Sequence, residues 1–164
     1  MGTDTEQGDG TGFRGRSAVS GRVDVEAIWP VVVRYCRGRI GRVAGSFVVA
    51  DGVAREVCSV AFAALPEFRR RGGSFLSFAY GIARREVGRG YGGAVAVAPG
   101  FSPELVEALP EEQREILVLR VVVGLSAEET ADAVGMAPGA VRVAQHRALT
   151  ELRRLVKVGA EEER

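Results

Sequence analysis

Ser126–Leu155 reads SAEETADAVGMAPGAVRVAQHRALTELRRL, and its punctuation decides the fold of the C-terminal part of the chain. Ser126 and Glu129 have the S-x-x-E spacing of a capping box, in which serine and glutamate side chains satisfy each other's backbone N–H groups at a helix start. Gly135 is placed to take the left-handed conformation that ends that helix, and Pro138 falls in the first turn of the next. An apolar stripe then follows: Val141, Ala144, Ala148, Leu152 and Leu155. A small residue at Ala131 lets two helices cross closely, a glycine four residues on makes the turn, and Val141 locks the second helix against the first. This is the spacing of a helix-turn-helix.

The second helix of the pair carries Arg142, Arg147, Arg153, Arg154 and Lys157 against one acid, Glu151. Pro138, Gly139, Ala140, Arg142, Val143, Gln145, His146 and Arg147 lie in its first turns, and Arg142, Gln145 and His146 project away from the apolar stripe. Arginine and glutamine offer the donors and acceptors that base edges in a major groove require, and arginines such as Arg153 further along suit phosphates. A solvated basic face on an ordinary bundle helix is the plainer alternative. The combined turn and packing signals favour DNA reading.

Upstream of this pair, Pro110–Glu112 opens a helix with acids at its positive dipole end. The run Ile116–Val123 is rich in β-branched residues, yet the acidic start and the Gly124 stop assign it to a helix. Residues 94–103 read as a short linker. Before it, Ile28, Val32, Tyr35, Cys36, Ile40 and Val43 recur at three- and four-residue steps. A second helix is expected from a cap at Asp51, with Pro66 ending it and a basic turn over Arg69–Gly73. A third is expected from about Ser74 to Val87, where Gly88, Gly90, Gly92 and Gly93 break the pattern. Residues 1–22, rich in glycine, serine, threonine and charge, read as a disordered leader. Their G-x-G-x-x-G spacing at Gly10–Gly15 has no strand before it or helix after it, so it is not a dinucleotide site.

Composition sets the remaining bounds. The 164 residues carry 22 basic and 21 acidic groups, but the balance is local: 11 basic against 4 acidic over residues 31–100, and 8 against 12 over residues 101–164. Of the basic residues all but Lys157 are arginine, as GC-rich coding produces. There is no apolar run long enough to cross a membrane, so a cytoplasmic protein without membrane insertion is expected. Two cysteines without paired-ligand spacing and a single histidine, His146, argue against a zinc site, a disulfide framework and histidine catalysis. No enzyme activity and no cofactor are expected.

The segment LPEEQREILVLRVVVGLSAEETADAVGMAPGAVRVAQHRALTELRRL resembles the sigma-four domain of extracytoplasmic-function sigma factors of the sigma-70 family. The segments WPVVVRYCRGRIGRVAGSFVVADGVAREVCSVAFAALPEF and FLSFAYGIARREV resemble the sigma-two domain, with a likeness to the actinobacterial SigD type. The resemblance implies an all-α chain of two small helical domains, a sigma-two-like bundle over residues 23–93 and a sigma-four-like helix-turn-helix over residues 104–158, followed by an acidic tail at 159–164. It implies a promoter-specificity subunit whose partners are promoter DNA and core RNA polymerase, and it leaves an anti-sigma factor open as a third. Asp51, Ala54, Arg55, Glu56 and Val57 match the segment that docks on the clamp helices of the beta-prime subunit. Phe75–Arg89 matches the segment that reads the minus-ten element, with Tyr80, Arg84, Arg85 and Arg89 as its candidate contacts and Tyr91 as a further stacking surface. Pro138–Arg154 matches the minus-thirty-five reader.

Four features depart from the family pattern. Gly52 and Arg55 replace an acid and a glutamine in the docking segment, the minus-ten helix decays into glycines, and Ala137 replaces a capping serine or threonine. The linker is short, spanning at most about 35 Å when extended. These departures keep a second reading in view: a degenerate sigma-like interaction protein, or a helix-turn-helix regulator, that does not open promoters.

Overall fold

The structure, a computed structural model, describes residues 25–41, 46–91 and 103–162. The expected leader, the linker before Pro103, and Val43, Gly92 and Gly93 lie outside the described residues. Among the described residues the chain is helical, with α1 Val25–Ile40, α2 Val48–Ala63, α3 Leu65–Arg71 and α4 Phe75–Gly90 in the N-terminal unit. The C-terminal unit holds α5 Pro103–Glu107, α6 Glu111–Leu117 with a π-helical continuation Val118–Val123, α7 Ala127–Val134 and α8 Pro138–Glu162. None of these helices is long and apolar enough to cross a membrane.

The N-terminal elements differ from the sequence expectations at their ends. Helix α1 carries the expected stripe inward, with Ile28, Val32, Tyr35, Cys36 and Ile40 all buried, and stops at Gly41 (φ 73°). Helix α2 begins at Val48, three residues before Asp51. Asp51 does not cap it, because its carboxylate accepts two hydrogen bonds from the Arg37 guanidinium (2.7 and 2.8 Å) and so ties α2 to α1. That hydrogen bonding holds the Asp51 carboxyl below its ordinary pKa. Pro66 does not end α2 but occupies the opening of α3, where a missing N–H costs nothing. Arg69–Arg71 form the last turn of α3, and only Gly72 and Gly73 (φ 76° and 106°) make the turn.

Ser74 caps α4 by accepting the Ser77 N–H (3.1 Å). The helix runs through Gly88 to Gly90 rather than fraying at Val87. Each glycine costs about 1 kcal/mol of helix propensity, and burial of Val87 to 1% exposure anchors the turn that contains them. Phe75 and Phe78 each pack with Phe68 at a centroid separation of 5.3 Å and with each other at 6.0 Å, so these aromatics build core as expected.

The stops at Gly124 and Gly135 and the capping box of the C-terminal unit are as the sequence predicts. Gly124 (φ 83°) ends the π-helical turn, whose widened ring is closed by the Gly124 N–H donating to Leu119 O. Ser126 and Glu129 form both halves of the capping box (3.0 and 2.7 Å), and Gly135 (φ 74°) ends α7. Pro110 stands just before α6 rather than inside its first turn. Helix α8 runs on to Glu162, so residues 159–162 of the expected tail continue the helix.

The two units share one apolar core. Helix α1 packs against α2, α4 and the π-helical turn, and α4 also packs against α7. Gly38 permits the approach of α1 to the π-helical turn: a Cβ there would lie 2.8 Å from Val122 Cγ1. A smaller cluster of Ile116, Ala127, Ala131, Val141 and Ala144 holds the helix-turn-helix together.

Candidate nucleic-acid interface

Helix α8 is divided cleanly into two faces. Val141, Ala144, Ala148 and Leu152 are buried, at 0–7% exposure, against α6 and α7. Arg142, Val143, His146, Arg147 and Arg153 are exposed on the opposite side, as are Gly139 and Ala140 in the first turn, with Pro138 half-buried. Val143 is 50% exposed, an apolar side chain standing among cations. The protein positions this face through two contacts that sequence reasoning missed. Arg120, on the π-helical turn, donates from Nε to Gln145 Oε1 (2.9 Å) and from Nη1 to the Leu125 carbonyl. Glu128 on α7 pairs with Arg142 across the turn. The Arg120–Gln145 and Glu128–Arg142 pairs have no local signal, because they join residues 25 and 14 positions apart. The Glu128 carboxyl is held below its ordinary pKa, chiefly by a backbone hydrogen bond and also by Arg142.

The expected minus-ten residues divide differently. Arg85 and Arg89 are exposed, Arg89 beside Glu86 at 3.2 Å. Tyr80 is not available for stacking: it is 8% exposed, and its hydroxyl donates to Glu115 Oε1 (2.9 Å). Burial first, and then the Glu115 charge, push the Tyr80 hydroxyl pKa up. Arg84 is exposed but donates to Glu111 Oε1 on α6 (2.7 Å). Tyr91 is half-buried and packs against the core.

The expected docking residues also split. Arg55 and Glu56 are exposed and Asp51 is half-buried, held by Arg37. Ala54 and Val57 are wholly buried, so they set the position of α2 and offer no surface to a partner. Val60, 45% exposed and one turn beyond Glu56, lies on the outer face instead.

Comparison with known proteins fits this arrangement. The family model for sigma-70 region 4 matches residues 103–152, which span α5 to the middle of α8. The ECF RNA polymerase sigma factor SigD of Mycobacterium tuberculosis is 49% identical, with the match covering 79% of this chain and 73% of that protein. The chain belongs to the ECF RNA polymerase sigma factors. A second relative of this sigma factor, ShbA of Streptomyces griseus, is 40% identical over 79% of this chain and 84% of its own. The solved structure of CnrH in complex with the cytosolic domain of CnrY has a TM-score of 0.57 and 19% identity, covering 81% of this chain and 83% of that one, and supports the helical fold.

In this sigma factor the helix-turn-helix is the part matched by the family model, and its outward face is the cationic one. The seam between α4 and α6 was not foreseen. Its central group, Glu115, is 5% exposed and joins Tyr35, Arg39 and Tyr80 from the other unit.

Proposed function

We propose that this sigma factor acts in the cytoplasm, binding core RNA polymerase through its N-terminal unit and promoter DNA through both units. The observation that carries the reading is the exposed face of α8, where Arg142, His146 and Arg147 are exposed, Arg142 beside Glu128, while Val141, Ala144 and Ala148 are buried. A helix held by one apolar face, with guanidinium and imidazole groups on the other, fits the major groove of a minus-thirty-five element. Arg142 and His146 are suited to base edges. Arg147 and Arg153 are suited to the flanking phosphates.

The N-terminal unit supplies the second and third contacts. Arg55 and Glu56, with Val60 beside them, form the surface of α2 suited to the polymerase clamp helices. Arg85 and Arg89 on α4 are suited to the backbone of the minus-ten strand. Each DNA contact is weak alone. Tethering both on one polymerase converts the second into an intramolecular event and multiplies the affinities.

Run-off transcription with purified core enzyme over a promoter library tests the reading. A transcript dependent on this chain, with a preferred pair of promoter elements, is the expected result. Polymerase binding without any transcript would contradict it and leave the non-initiating interaction protein.

A further inference from the structure

Val143 is the apolar exception on the cationic face of α8. It is 50% exposed, and Arg142, His146 and Arg147 stand exposed around it. With 3.6 residues per turn, two steps carry a chain about 200° round a helix. Val143 therefore lies nearly opposite Val141, which is wholly buried. That places it at the crest of the outward face, in the second turn of α8, with Arg142 and His146 to one side and Ala140 and Arg147 to the other. The first turns of a recognition helix are the ones that reach base edges.

The packing of α8 does not call for a valine here. Among the described residues, Val143 belongs to neither apolar cluster. Valine is also a poorer helix former than the arginine and alanine beside it in sequence, Arg142 and Ala144. The chemistry of the major groove does call for such a group. Arginine pairs with guanine and an amide pairs with adenine, while the C5-methyl group of thymine takes an apolar contact. Gln145 is the one amide side chain of α8. It is half-buried, and its Oε1 accepts from Arg120 Nε on the π-helical turn (2.9 Å). The amide is thus engaged within the unit, and the outward face keeps guanidinium groups for guanine but no amide for adenine. The methyl group remains as the mark of an A·T pair, and Val143 is placed to meet it. Ala140, one turn earlier and also exposed, extends the apolar strip.

We infer that Val143 is a specificity-determining residue, whose isopropyl group packs on the C5-methyl group of one pyrimidine in the major groove of the upstream promoter element. The inference rests on the proposed promoter function and names a chemical group that this function recognises. Thymine carries that methyl group, and 5-methylcytosine presents the same group at the same ring position.

Single-atom-group changes in the DNA test it. Holoenzyme assembled from the full chain and core polymerase is titrated onto the promoter best bound in a library selection. Each thymine of the upstream element is replaced in turn by deoxyuridine, which lacks only the methyl group, and each cytosine by 5-methylcytosine, which gains it. At one position the methylated base should be bound about three- to fivefold more tightly than its unmethylated counterpart, as burial of one methyl group predicts. A response to deoxyuridine identifies thymine as the carrier, and a response to cytosine methylation identifies 5-methylcytosine. Val143→Ser, at an exposed position outside the core, should abolish the preference at that position. Two results would overturn the inference: no position at which the methyl group matters, or a methyl preference that Val143→Ser leaves intact, which would assign it to the shape of the DNA. A duplex with the whole upstream element scrambled separates the two layers. If scrambling weakens binding while no methyl group matters, the inference alone falls. If scrambling changes nothing, the promoter reading of α8 falls and takes the inference with it.

Discussion

Helices α4 and α8 have similar ingredients and opposite settings. Both interleave arginines with an apolar stripe, and both are expected from sequence to face nucleic acid. On α8 the apolar stripe is matched by its own neighbours α6 and α7, so the cations are left outside. On α4 the apolar stripe is buried too, but part of the polar surface is covered by the other unit, which takes Tyr80 into the core and holds Arg84. Periodicity locates the face a helix buries in its own unit and says nothing about a second unit packed against it.

That contrast can be broken most severely at its best-packed point. Leu152→Ala removes a side chain that is 3% exposed beneath the recognition face. It should cost about 2–5 kcal/mol, the range for deleting a buried leucine, read as a lowered midpoint in denaturant unfolding. A cost under about 1 kcal/mol would mean that α8 is not fastened through this face. Arg142→Ala removes an exposed side chain and its pair with Glu128 without touching the core, and should weaken discrimination at one base pair of the upstream element by about 10- to 100-fold, measured by holoenzyme binding over a promoter library. Unchanged preference would remove Arg142 from the reading face.

Smaller effects sharpen the account of how that face is held. Gly135→Ala places a side chain at φ 74°. The left-handed conformation costs an alanine about 1–2 kcal/mol, visible as a lower melting temperature. Ser126→Ala removes the Glu129 N–H acceptor and should cost about 1 kcal/mol. Equal stability in either variant would show that the turn between α7 and α8 is set by packing of Ala131 and Val141 rather than by its caps.

The sequence made the C-terminal unit legible because its determinants are local. A capping box, two stop glycines and a helix-opening proline each act within four residues of their targets, and all four stand where the spacing places them. The N-terminal boundaries were less legible. Asp51 looks like a cap because aspartate favours caps, but Arg37, fourteen positions away, takes its carboxylate. Pro66 looks like a stop and acts as a start, because a proline near a helix boundary suits the first turn of the next helix as well as the end of the last. Gly88 looks like a break and is carried by the burial of Val87.

The same division holds for the candidate interface. Arg142, Val143, His146, Arg147 and Arg153 are exposed as their spacing from Val141 requires. Ala54, Val57 and Tyr80, named through family resemblance, are buried. A matching motif identifies a helix, and only the packing of that helix decides which of its side chains remain accessible. Glu115 was unreadable for the complementary reason: a buried carboxylate 80 residues from Tyr35 has no sequence pattern to announce it.

The central claim is that α8 presents its cationic face to duplex promoter DNA. Photo-cross-linking answers it most directly, with the reactive group placed at His146 in the complex of full-length chain, core polymerase and promoter. Cross-links to the duplex around the minus-thirty-five element are predicted. Cross-links confined to polymerase, with the upstream duplex unmarked, would contradict the account.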